Sequence, residues 1–305
     1  MHDNDFSLFQ LSLQQRAASV EMLLSELLSD RPQSGEITRP PRLLAAMRHG
    51  VLNGGKRLRP FLVMESAALF GADNSAALRV AAALECIHSY SLVHDDLPAM
   101  DNDDLRRGQP TVHRKFDEAA AILAGDSLLT YAFELVASEA TEISAQARLS
   151  LITELARSAG IGGMTGGQTL DLEAEKVKPD EQGIIRLQAM KTGALIRFAC
   201  EAGAIIGNAD QRERECLAEY GSAIGLAFQL ADDLLDVTSD AGNMGKATGK
   251  DVAAGKATLV SIHGIEWTKR QLSGLVEQAQ LLLEPFGEKA GLLKEAARFI
   301  AERKN

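Results

Sequence analysis

Cysteine is scarce: Cys86, Cys200 and Cys216 are the only three in 305 residues, with no CxxC pair. That excludes a disulfide framework and a zinc knuckle, and leaves buried free thiols in a reducing compartment as the expectation. Aromatic residues make up 5% of the chain, whereas Ala and Leu are abundant, which favours helices. Prolines stand only at 32, 40, 41, 60, 98, 110, 179 and 285, so 111–178 and 180–284 are free of them and long helices can run there. The N-terminus MHDNDFSLFQLSLQQR has acids where a secretory leader has bases. No uninterrupted apolar run reaches the roughly 18 residues of a spanning helix. A cytoplasmic protein with no membrane span is therefore expected. Positive charge is also short, at 32 Lys and Arg against 42 Asp and Glu, a net of −10, which argues against a nucleic-acid surface. GxSxG, the Walker loop, the kinase HRD and DFG strings and an EF-hand loop are all missing. Chemistry through a covalent nucleophile thus has no candidate.

What is present is a soluble-type composition, 46% hydrophobic and 24% charged, with no linker or composition shift along it. An all-α, single-domain chain over 1–305 is expected. Apolar residues recurring at three and four predict helices over 6–29, from Arg42 to about the Gly54-Gly55 pair, and over 60–70, 75–94, 118–138, 143–160, 180–206, 211–236, 257–283 and 287–302. The segment GIGGMTGGQTLDLEAE (160–175) reads either as a plain loop or as glycines permitting close helix packing beside a ligand.

Two acidic groups emerge from apolar helical patterns. SLVHDDLPAMDNDDLRRGQP carries Asp95, Asp96, Asp101, Asp103 and Asp104, and FQLADDLLDV carries Asp232, Asp233 and Asp236. Two carboxylates about 4 Å apart repel by about 4 kcal/mol at an effective dielectric of about 20, so a cation should offset them. Asp232 and Asp236 lie about 40° apart on adjacent turns and face one way. In a regular helix Asp101 would be turned roughly 120° from Asp95, but Pro98 cannot continue the ladder, and a bend there can swing Asp101 back. Oxygen ligands in small number, with no His or Cys company, suit magnesium, which keeps waters and completes its shell with substrate phosphates. A solvated acidic face is the plainer reading of either group alone.

Basic residues lie close by. GGKRLRP (54–60) offers two glycines for close approach and Lys56, Arg57 and Arg59 at a helix start suited to Pro60. Arg106 and Arg107 directly follow the first acidic group. Lys191, Lys246 and Lys256 are each, taken singly, as consistent with a surface lysine as with a ligand. His88 could be a core histidine or a site residue.

In this order GGKRLRP, ECIHSYSLVHDDLPAMDNDDLRRGQPTVH, GMTGGQTLDL, MKTG, FQLADDLLDV and GKATL, spanning 54–259, resemble the trans-prenyltransferases of the polyprenyl synthetase family. The resemblance is strongest to the bacterial farnesyl diphosphate synthase (geranyltranstransferase) type, with its two extra residues in the first aspartate motif. It implies a bundle of long antiparallel helices around a deep cavity, usually a homodimer. It also implies magnesium-dependent, head-to-tail condensation of isopentenyl diphosphate with dimethylallyl and geranyl diphosphate. Asp95, Asp101 and Asp232 would be direct ligands of three Mg2+ ions, with Asp96, Asp233 and Asp236 near or acting through water. Arg106, Lys191 and Lys246 would clamp the allylic diphosphate, and Lys256 would be a further cavity lysine. Gly55, Lys56, Arg59, His88 and Arg107 would hold isopentenyl diphosphate. Thr192 and Gln229 would aim oxygen dipoles at the allylic cation, while Gln168 and Asp171 line the same cavity, Asp171 towards the metals. Tyr90, with Ser91, would floor the cavity and set a fifteen-carbon product. Within the same chemistry a geranylgeranyl diphosphate synthase is the alternative; outside it, a non-catalytic magnesium-binding helical partner subunit. A helical terpene cyclase fits less well, since DDLLD lacks the usual Asn/Ser/Glu pattern.

Overall fold

Proline-free stretches rich in Ala and Leu become helices, as their propensities favour. The computed structural model of the chain describes residues 2–240 and 258–302. The helices are α1 (His2–Leu27), α2 (Pro41–Val51), α3 (Leu58–Ala68), α4 (Asn74–Asp95), a short α5 (Val112–Lys115), α6 (Glu118–Ala137), α7 (Ala145–Ala159), α8 (Met164–Ala174) and α9 (Glu181–Gln188). After a π-helical turn (Ala189–Gly193) come α10 (Ala194–Ile206), α11 (Gln211–Asp240), α12 (Leu259–His263) and α13 (Ile265–Leu282). A 3-10 segment (Glu284–Ala290) then leads into α14 (Gly291–Glu302). Side-chain caps define several starts: Asp73, Asp117, Ser144 and Asp180 each accept from a backbone N–H one turn on.

Helices α6, α4, α3, α10, α11 and α13 pack in that succession, each on the next, and α7 touches both α6 and α10. One apolar cluster runs through them all, with α4 contributing Ala81, Ala82 and Ala83, small residues that let neighbouring helices approach closely. Phe9, Phe61 and Tyr220 are its largest buried rings. By length and hydropathy α4 and α6 could each cross a membrane, contrary to the reading from uninterrupted runs; 78% of the α4 window and 50% of the α6 window are buried within the bundle.

Other elements depart from the sequence reading. The helix expected over 180–206 carries a π turn at 189–193. The one expected over 257–283 starts at Leu259 and breaks at Gly264, whose φ of 79° ends α12. Its first expected residue, 257, is outside the described residues. The helix expected from 287 is preceded by the 3-10 segment, with Gly287 at φ 59°. The glycine-rich segment is largely helix α8.

Candidate active site

The apolar run of α4 stops at Asp95 and the chain reverses at once. Asp101 N–H donates to the Asp95 carbonyl at 2.8 Å, Asn102 N–H to Leu97 at 3.1 Å and Asp103 N–H to Asp96 at 3.2 Å. Asn102 supplies the left-handed φ of 51° that the reversal needs. Pro98 therefore sits in a turn and does not kink a continuing helix, because α4 has already ended. Asp101 nonetheless returns beside Asp95. Asp101 stands exposed, while Asp95 is only 8% exposed and receives the Gln168 amide from α8. Burial pushes the Asp95 carboxyl up to about 6, against the pull of Lys191 and with a further push from Asp101. Asp96, buried as well, is raised by burial although the Arg106 guanidinium grips it at 2.7 and 2.8 Å.

Arg106 and Arg107 diverge because they lie on a small hairpin. Leu105–Arg106 pairs with Gln109–Pro110, and Arg107 (φ 51°) and Gly108 (φ 75°) form its two-residue turn. Arg106 reaches Asp96; Arg107 crosses to Asn53 Oδ1 at 3.1 Å and to the Gly54 carbonyl. Glycine suits position 55, where φ is 121° and the Arg107 guanidinium packs close against the backbone.

That second arginine opens onto a cavity of about 460 Å³ whose lining includes Gly55, Lys56, Arg59, His88, Arg107, Phe228 and Phe299. Five residues expected to hold isopentenyl diphosphate thus share one hollow. Lys56 Nζ lies 5.7 Å from the Phe299 ring centroid. Burial, reinforced by Arg59 and Arg107, pushes the His88 imidazole well below its ordinary value and keeps it neutral. Arg57 and Glu85 also border this hollow, but the Arg57 side chain, grouped with the anion-binding cations on sequence grounds, is wholly buried and paired with Glu85 and Glu21. A left-handed backbone at φ 49° turns it into the fold.

On the other side, α11 carries Asp233, buried between two amides: Gln188 Nε2 donates at 2.9 Å and Gln229 Nε2 at 3.0 Å. The Thr192 hydroxyl donates to Gln229 Oε1 at 3.3 Å, and Lys191 Nζ pairs with Asp171 at 2.7 Å. Asp171, Gln188, Lys191, Thr192, Gln229, Asp233 and Thr258 line one small cavity of about 140 Å³. Asp232 and Asp236 are half-buried on adjacent turns. The π turn sets Lys191 and Thr192, and a Cβ on Gly167 would run into the Lys191 backbone. Lys191, which lines this cavity with Asp233, also pulls the Asp95 carboxyl down, so one lysine stands near both acidic groups. Tyr90, 8% exposed, lies edge-on to His94 with its hydroxyl 3.5 Å from Thr165 Oγ1; the Ser91 hydroxyl donates to the His88 carbonyl.

Lys246 and Lys256 lie outside the described residues. The sequence reading missed Gln188, which sits one helical turn before Lys191, and Glu85, a buried carboxylate one turn before His88. Their spacing to recognised residues was the only signal.

Among the described residues no three carboxylate, imidazole or thiol groups converge tightly enough to hold an ion unaided. The donors are carboxylate and amide oxygens, and burial raises the Asp95 carboxyl although Lys191 and Arg106 pull it down. Gln168 Oε1 and Gln188 Oε1 are buried acceptors with no donor among the described residues, fit for metal-bound waters. This chemistry suits magnesium sharing its shell between protein, water and phosphate.

The sequence matches the polyprenyl synthetase family profile over residues 40–290. It is 45% identical over 266 residues to a farnesyl diphosphate synthase of Escherichia coli K12, covering 86% of this chain and 89% of that protein. It is 40% identical over 299 residues to a farnesyl diphosphate synthase of Geobacillus stearothermophilus, covering 96% and 99%. The apo crystal structure of an FPP/GFPP synthase from Zymomonas mobilis superimposes with a TM-score of 0.86 at 44% identity, over 97% of this chain and 99% of that one.

Proposed function

The chain belongs to the polyprenyl synthetase family, and from that premise we propose that it is a short-chain trans-prenyl diphosphate synthase. It joins isopentenyl diphosphate head-to-tail to dimethylallyl and then geranyl diphosphate, giving farnesyl diphosphate and releasing diphosphate. One observation carries the reading: Lys191 lines a cavity with Asp233, which Gln188 and Gln229 hold, and also acts on Asp95, which Gln168 holds, while a separate hollow gathers Lys56, Arg59 and Arg107. Two diphosphates, one on metals and one on cations alone, suit that division.

When bound, magnesium, three ions by family resemblance, supplies the positive charge that stabilises the departing diphosphate. Asp95, Asp101 and Asp232 would hold it directly, with Asp96, Asp171, Asp233 and Asp236 supporting. Arg106, Lys191 and Lys246 clamp the allylic diphosphate, and Lys256 adds to them. Lys56, Arg59, His88 and Arg107 seat isopentenyl diphosphate against Gly55, a neutral His88 donating one N–H to a phosphate oxygen. The allylic C–O bond ionises, and the cation is met by the oxygen dipoles of Thr192 and Gln229, whose amide is held by Asp233. Apolar walls keep water from quenching it. The double bond of isopentenyl diphosphate then attacks, and the released diphosphate takes the proton, so no protein base is needed. Tyr90 closes the cavity floor at fifteen carbons.

We take the chain to work as one domain of 305 residues in a cytoplasmic homodimer. The buried free thiols Cys86 and Cys200 accord with a reducing compartment, and Ile122 and Leu123 give α6 an exposed apolar edge that a second copy would cover. The test is release of inorganic diphosphate, which should require magnesium and both substrates together. Release from the allylic substrate alone at the same rate would overturn the reading.

A further inference from the structure

The loop that carries the cations of the isopentenyl hollow is conformationally costly. Gly54 (φ 84°), Gly55 (φ 121°) and Arg57 (φ 49°) are all left-handed, and α3 starts directly afterwards at Leu58. Two glycines tolerate this readily, whereas an arginine does not. Glycine or asparagine would suit position 57 better by backbone alone, so the residue there must earn its place through its side chain.

That side chain joins three elements. Its guanidinium pairs with Glu85 on α4, donates at 3.2 and 3.3 Å to Glu21 on α1, and at 2.7 Å to the Val51 carbonyl at the end of α2. Only a planar fork with five N–H donors can make these bonds at once. Lys56 precedes it and Arg59 follows two residues later, both lining the hollow. Glu85 stands one helical turn before His88 and also acts on Arg107. The arginine thus bears on every cation of the hollow while its own charge is spent within the fold.

We propose that Arg57 is the positioning residue for the isopentenyl diphosphate site: from the wall of the hollow, with its guanidinium committed to Glu85, Glu21 and the Val51 carbonyl, it aims Lys56 and Arg59, and Glu85 is its anchor. This rests on the function proposed above. In Arg57→Met the loop loses its tether, and the KM for isopentenyl diphosphate rises by about tenfold or more while that for geranyl diphosphate stays within about twofold. Arg57→Lys, which keeps the Glu85 pair but not the fork, recovers part of the loss. Glu21→Gln, a change at the half-exposed partner, gives a smaller rise in the same constant and guards against a Met variant that fails to fold. Isopentenyl diphosphate affinity measured by calorimetry on the same proteins needs no turnover, so it separates this proposal from the proposed reaction. Equal rises in both KM values, or a lower melting temperature with both KM values and the calorimetric affinity unchanged, would make Arg57 a stability residue and overturn the inference.

Discussion

Asp95 holds a carboxylate where water barely reaches it, and the consequence can be measured without any substrate. An unfolded Asp titrates at about 4, and burial raises the folded group to about 6. Between those values the folded chain binds the extra proton, so this contribution to ligand-free stability is present below about pH 4 and lost as pH rises through about 6. Asp95→Asn removes the buried charge. At pH 7.5 it should be more stable than wild type, by at most about 3 kcal/mol, and the gain should shrink to about 1 kcal/mol or less at pH 4.5. Denaturant midpoints at the two pH values decide this; a variant less stable at pH 7.5 contradicts the account. Tyr90 makes the second prediction at this scale. Its ring lies one turn and a bit before Asp95, so Tyr90→Ala should lengthen the products beyond fifteen carbons, and chromatography of dephosphorylated products reads it. An unchanged profile would show that another residue floors the cavity. Most of the side chains that the fold gathers here could be named as candidates from the sequence, because ligand chemistry limits the choice: carboxylates for cations, Lys and Arg for phosphates. Gln188 was not legible, because an amide that steadies Asp233 looks in sequence like any helical glutamine. The pairing of Arg57 with Glu85 and Glu21 was not legible either, since composition cannot tell a cation offered to a cavity from one already committed to carboxylates.

Helix boundaries followed from local chemistry where a cap or a proline marked them. Asp73, Asp117, Ser144 and Asp180 stand where α4, α6, α7 and α9 begin. Interruptions inside helices were harder to foresee. A π turn is one extra residue in a ladder that otherwise keeps its apolar period, so 180–206 read as a single helix although Ala189–Gly193 rotates Lys191 and Thr192 into the site. Gly264 was a missed signal, since a left-handed glycine is a common helix stop. The packing of α8 on the π turn gives a prediction at this scale. A methyl on Gly167 meets the Lys191 backbone, so Gly167→Ala must push the two elements apart, which in a packed interior costs about 1–3 kcal/mol. Turnover should fall by about tenfold or more. Steady-state kinetics beside a melting curve checks this; full activity would mean the π turn need not hold its present position.

The bundle as a whole follows from α4 and α6, two helices apolar enough to span a bilayer that instead bury against each other and their neighbours. Their composition is what a helix needs when it is surrounded by other helices. The fold class was therefore legible from low aromatic content and long proline-free stretches, whereas the placing of Lys191 near both acidic groups was not, because it depends on how α8, the π turn and α11 meet. An exposed apolar edge on α6 leads us to expect sedimentation at twice the 32.7 kDa chain mass; a monomer at micromolar concentration would remove the dimer from the account. The most direct test of the central claim is to incubate the protein with radiolabelled isopentenyl diphosphate, geranyl diphosphate and magnesium, and separate the products by chain length. A labelled fifteen-carbon diphosphate that disappears with chelator is the result expected. No labelled prenyl product, or product formed equally well with chelator, would contradict the mechanism, and a predominantly twenty-carbon product would contradict the chain length assigned to Tyr90.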